Sequence, residues 1–165
     1  MKYLILIRHA KSSWKNQILS DHDRPLNKRG KKAALLMGQK LAYKPIKPEL
    51  IISSTAKRAL ITAKKIAKEI NHPKSKIKAD PNLYHASTLQ LLGVISKSPN
   101  TIHNLMLVGH NPSMTFLANS LLKKHQFDNI PTAGMVTLSL SIKFWKDILS
   151  NDIKIQLIDY DYPKS

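Results

Sequence analysis

Short apolar runs, each stopping abruptly at polar residues, alternate along this chain with longer amphipathic stretches. "KYLILI" (Lys2 to Ile7) is short, apolar and bounded by polar residues, which predicts a buried strand. A polar loop follows through Pro25. Ala33, Ala34, Leu36, Met37 and Leu41 recur at helical spacing and predict a helix from about Asn27 to Tyr43. The two prolines of "YKPIKP" end it. "ELIIS" (Glu49 to Ser53) predicts a second strand. Ser54 or Thr55 is expected to cap the next helix, which runs to about Ile70 with Ala59, Leu60, Ala63, Ile66, Ala67 and Ile70 inward.

Further on, "KIKAD" reads as a short strand, "PNLYHAS" as a loop, and Ser87 as the cap of a helix to about Lys97. "NLMLVG" (Asn104 to Gly109) is the next strand. Asn111 is expected to cap a helix to about Lys123, with Pro112 at its first position, where proline loses nothing. "GMVTLSLSI" and "DIKIQLIDY" alternate with the β period and are joined by a connection with room for one helical turn. The pattern predicts a three-layer α/β sandwich: a mainly parallel sheet with an antiparallel edge strand, and helices on both faces. No repeat, low-complexity tract or linker interrupts it, so residues 1–165 read as a single domain.

In such sheets the ligand crevice lies beyond the carboxyl ends of the strands. Three polar clusters are expected at that edge. Arg8-His9 ends the first strand, Arg58 follows the second, and Gly109-His110 ends the "NLMLVG" strand. Two of the clusters adjoin helix N-termini, whose free N–H groups favour an anion. Each cluster alone has an ordinary explanation: Arg8 paired with Asp21 or Asp23, Arg58 facing solvent, His110 satisfied in a turn. Together they predict a phosphate pocket with a nucleophile inside it.

Composition adds further points. There is no cysteine, which excludes disulfides, thiolate catalysis and cysteine-ligated metal. The longest N-terminal apolar run, Tyr3 to Ile7, is too short for a signal-peptide core or a membrane span, so the expectation is a soluble, cytoplasmic protein with no membrane partner. The net charge is +17, and of the 27 basic residues only Arg8, Arg24, Arg29 and Arg58 are arginine. The dispersed lysines, with no interleaved aromatic pattern, read as a solvated surface; nucleic-acid binding stays an alternative without implied specificity. An arginine kept where lysine is the rule points to planar, bidentate contact with an oxyanion. The seven histidines and the "DHD" at Asp21 to Asp23 show no recognised ligand spacing, so no metal or other cofactor is expected.

The ordered set "LIRHAKSSW", "DHDRPLNKRG", "LIISSTAKRALITA" and "LVGHNPSM" resembles the histidine phosphatase superfamily, which includes the phosphoglycerate mutases. Within it the chain looks like the small SixA-type phosphohistidine phosphatases. The resemblance covers nearly the whole chain and implies a phosphoglycerate mutase-like fold. It implies that His9 becomes phosphorylated and that Arg8, Arg58 and His110 hold the phosphoryl oxygens. Arg24 and Ser12 are further candidates for substrate binding. Ala10 stands where the superfamily usually has glycine.

Most phosphatases of this superfamily use a glutamate to protonate the leaving group. Here there are two glutamates, and both Glu49, at a strand start, and Glu69, near a helix end, are expected far from the site. His85 falls roughly where that acid would come. An alkoxide leaving group needs an acid more than an imidazole does, because protonated imidazole departs as a neutral amine. The reading is therefore a phosphatase acting on phosphohistidine displayed by another protein. A phosphatase of small phosphate esters, and a non-catalytic basic nucleic-acid-binding module, are the alternatives; Asp21, Asp23 or His85 would be the acid in the first of these.

Overall fold

A computed structural model describes residues 1–164. The strands are β1 (Lys2–Arg8), β2 (Leu50–Ser53), β3 (Ile77–Ala79), β4 (Asn104–Gly109), β5 (Met135–Leu140) and β6 (Ile155–Asp161). The helices are α1 (Lys28–Ala42), α2 (Lys57–Glu69), α3 (Thr88–Ser96) and α4 (Ser113–Leu122), with short 3-10 turns between. The strands form one sheet in the order β3-β2-β4-β1-β5-β6. β3, β2, β4 and β1 are mutually parallel, whereas β5 is antiparallel to both β1 and β6. The strand that opposes the rest is thus β5, one place in from the edge, with β6 outside it.

Side-chain alternation along β1 divides the core into two layers. Leu4 and Leu6 join Leu105 and Leu107 of β4 under α3 and α4. Ile5 and Ile7 join Ile51, Met106 and Val108 under α1 and α2. β1 and β4 are buried on both faces, which explains their unbroken apolar sequence. β5 departs from the expected alternation: all six residues are buried, Thr137 and Ser139 included, with Val136, Leu138 and Leu140 in one core layer and Met135 in the other.

Two helix starts differ from expectation for a chemical reason. Neither Ser54 nor Thr55 caps α2, whose N-cap is Ala56 with no side-chain cap. Ser54 Oγ instead pairs with His110 Nε2 at 2.8 Å and accepts from the Ala56 N–H, and Thr55 Oγ1 pairs with His22 Nε2 at 2.8 Å. Pro112 is the N-cap of α4 rather than its first residue, while Asn111 Oδ1 still accepts from the Thr115 N–H. Ser87 caps α3 as expected, within a capping box, and Asn27, where the first helix was expected to begin, is the N-cap of α1.

Candidate active site

β1, β4 and β2 are adjacent and parallel, so their carboxyl ends deliver residues to one place. That place is a cavity of about 600 Å³ whose wall includes Arg8, His9, Ser12, Arg24, Arg58 and His110. All six residues singled out from the sequence therefore meet. Lys11, Lys15, Asp21, His85, Asn111 and Thr132 share the wall. The fourth arginine, Arg29, does not.

His9 is buried at 9% exposure, and its backbone N–H donates to the Gly109 carbonyl. Its Nδ1 lies 2.7 Å from the Ala10 carbonyl. A carbonyl only accepts, so Nδ1 carries the proton and Nε2 keeps its lone pair. Burial lowers its pKa to about 4; the Ala10 bond opposes this, and the charges of Arg58, Arg8 and Arg24 add to it. The ring is neutral at physiological pH. His110, 5.0 Å away between ring centroids, is lowered to about 3 by burial, then by His9 and Arg58. Ala10 is fully buried, and its N–H donates to Thr62 Oγ1 at 3.0 Å, which fixes the backbone behind the nucleophile candidate.

The arginines are held in distinct ways. Arg8 does not pair with either aspartate; its Nη1 donates to the Ile130 carbonyl at 2.9 Å. Arg58 does not face solvent, being 5% exposed. Its Nη1 and Nη2 donate to the main-chain oxygen and to Oδ2 of Asp21 at 2.6 and 2.9 Å. Arg24 donates to Asp21 Oδ1 from Nη2 at 3.0 Å and to Ser12 Oγ from Nη1 at 2.7 Å, and the Trp14 ring lies 3.5 Å over its guanidinium. Among the described residues, two buried side-chain donors have no acceptor: Nε of Arg8 and Nε of Arg58.

Asp21 pairs with arginine, though with Arg24 and Arg58 rather than Arg8. It binds both arginine forks, and the Tyr84 hydroxyl donates to its Oδ2 at 2.6 Å. The Tyr84 bond first, then those of Arg24 and Arg58, hold its carboxyl well below the usual range against the opposing effect of burial. It is an ion-pair hub rather than a proton donor. Its spacing from Arg24, three residues within one short turn, was a readable signal; Tyr84 left none. The same pairing commits the carboxylate that a "DHD" metal site would need, and among the described residues no three metal-ligating side chains cluster.

The glutamates lie elsewhere, as expected. Glu49 Oε1 accepts from the His103 and Asn104 N–H groups at the amino end of β4. Glu69 ends α2. His85 does reach the cavity wall, exposed and in the left-handed backbone region at φ 53°.

The loop carrying Ser12 is pinned to α1. Ser12 bridges Leu26, the Asn27 N–H donates to the Lys11 carbonyl, and Asn27 Oδ1 accepts from the Gly30 N–H. Gly30 is required by close approach, since a Cβ there would sit 2.0 Å from the Lys11 carbonyl oxygen.

A neutral buried imidazole among fixed guanidinium groups, beyond a parallel sheet's carboxyl edge, suits phosphoryl chemistry. The family model for the histidine phosphatase superfamily (branch 1) matches residues 4–88, and the chain belongs to that superfamily of phosphatases. Within it, the chain has the SixA-type fold. It superposes on the SixA protein of Agrobacterium tumefaciens with a TM-score of 0.82 at 27% identity, covering 98% of each chain. An uncharacterized chloroplastic protein of Arabidopsis thaliana is 35% identical over 126 residues, which are 72% of this chain and 58% of that one. The chain thus spans little more than half the length of that relative. Phosphoserine phosphatase 1 of Hydrogenobacter thermophilus is 43% identical over 75 residues, 43% of this chain and 34% of that one. Among the described residues, no helix is long and apolar enough to cross a membrane.

Proposed function

We propose that the protein removes the phosphoryl group from phosphohistidine on another protein, through a phosphohistidine formed on His9. The observation that carries this is a neutral His9, its Nε2 lone pair available, on the wall of a cavity shared with Arg8, Arg58 and His110. His9 Nε2 attacks phosphorus, the substrate's P–N bond breaks, and its imidazole leaves neutral, keeping the proton on its other nitrogen. Water then attacks the phosphorus on His9, the new P–N bond breaks, and inorganic phosphate and neutral His9 are regenerated. Arg8, Arg58 and His110 hold the equatorial oxygens as charge spreads over them, needing no reorganisation at the moment of transfer. Arg24 and Ser12 complete the anion-binding wall, Ser12 through its bond to Arg24.

The pocket has no free carboxylic acid among the described residues: Asp21 is committed to two arginines, and both glutamates lie away from it. That supports an N–P bond over an ester. One observation favours the ester reading: His85, exposed on the pocket wall, would serve as its proton donor. A substrate panel separates the two. A phosphohistidine protein is expected to turn over much faster than phosphoserine or p-nitrophenyl phosphate, with His85→Ala changing it little. Faster hydrolysis of the esters, lost in His85→Ala, would reverse the assignment.

A further inference from the structure

Three of the four arginines line the catalytic cavity, and the fourth has so far no use. Arg29 lines a second cavity of about 320 Å³ that shares Lys11 and Thr132 with the first, so the two adjoin. Among the described residues, Lys11, Arg29 and Lys164 are the charged groups on its wall, and no Asp or Glu side chain joins them. Arg29 and Lys11 are exposed, and neither side chain has an ion-pair partner among the described residues. Arg29 also sits in a first helical turn that holds no acidic residue, a position where a cation is mildly unfavourable.

Charge balance points the same way. The catalytic wall carries five cations, Arg8, Lys11, Lys15, Arg24 and Arg58, against the single carboxylate of Asp21. Asp21 and a phosphoryl dianion together balance three of the five. Arg29 and Lys164 extend the excess to one side only. A ligand complementary to this field carries negative charge beyond its phosphoryl group, displaced toward α1.

We propose that the second cavity is an accessory anion subsite, which takes a carboxylate side chain of the substrate polypeptide close to the phosphorylated residue. The proposal rests on the phosphohistidine reading above and adds a specificity that the catalytic residues do not supply. The test is calorimetry with two peptides that carry a non-hydrolysable phosphonate in place of phosphohistidine and differ only in having glutamate or serine flanks. The parent protein is expected to bind the glutamate peptide about fivefold tighter, the scale of an exposed ion pair. Arg29→Ala should remove most of that preference and leave the serine peptide's affinity unchanged, and Arg29→Glu should reverse it. Raising the salt should shrink it. A parent that binds both peptides equally, or a preference that survives Arg29→Ala, would overturn the subsite and leave the phosphohistidine reading standing. Binding of neither peptide, with inorganic phosphate still stabilising the fold, would count against both.

Discussion

The two ends of the central sheet both bury charge, and they treat it in opposite ways. At the amino end Lys2 is 2% exposed, yet its Nζ donates to the Asn100 and Ile102 carbonyls at 3.0 and 2.8 Å and lies 5.0 Å from the Trp145 ring centroid. Glu49 nearby accepts two backbone N–H groups. At the carboxyl end Arg8 and Arg58 each keep a buried Nε without an acceptor, and two histidines sit neutral beside them. Buried polar groups are almost always partnered, so the amino end obeys the rule and the carboxyl end breaks it. A satisfied buried charge holds the fold together. An unsatisfied one breaks a rule that is expected to fail mainly at functional sites.

Substitutions at the two ends should therefore separate activity from stability. His9→Ala is expected to have the largest effect on turnover, a loss of at least about 10^4-fold with the fold intact, since an absent nucleophile cannot be compensated. Steady-state kinetics on a phosphohistidine protein, beside a melting curve, checks both halves. Arg58→Lys keeps the charge but loses the fork, and should cost about a hundredfold in kcat/KM. Asp21→Asn should cost about tenfold through misplaced arginines, the scale of a small positioning error. If Asp21 were the acid, its removal would instead flatten one limb of the pH–rate profile for ester substrates. At the other end, Lys2→Met leaves the Asn100 carbonyl unpaired and should cost about 1–3 kcal/mol of stability. Turnover per folded molecule should not change.

Acid sharpens the same contrast. The folded pKa values of His9 and His110, about 4 and about 3, lie below the ordinary 6.5. The unfolded chain takes up protons there that the folded one refuses, so stability is complete above about pH 6.5 and falls as pH drops through that window. Asp21, lowered from 3.8, adds a further loss only below that value. Denaturant melts as a function of pH should show the first decline, and Lys2→Met should leave its shape unaltered. Phosphate in hundredfold excess over its Kd should restore about 2.7 kcal/mol in the parent.

How far the sequence could be read follows from the range of each determinant. Strand ends and caps are local, so Arg8-His9, Gly109-His110 and the Ser87 cap were legible from their neighbours. The convergence of Arg58 with them was legible because parallel strands share one carboxyl edge. What escaped depends on segments distant along the chain. Ser54 and Thr55 look like helix caps until His110 and His22 arrive beside them. Asp21 reads as a partner for Arg8 or an alternative acid until Arg58 and Tyr84 close on it. β5 looks half-exposed until covered on both faces. The two expectations drawn from absence, that neither glutamate would lie at the site, needed only helix and strand directions and agree with the structure.

The central claim is that His9 carries the phosphoryl group. It is tested most directly by mixing the protein with a 32P-phosphohistidine donor protein, quenching within a turnover, and mapping the label. An acid-labile label is expected on the peptide containing His9, absent in His9→Ala and discharged as inorganic phosphate on standing. Label on another residue, or undiminished phosphate release by His9→Ala, would contradict it.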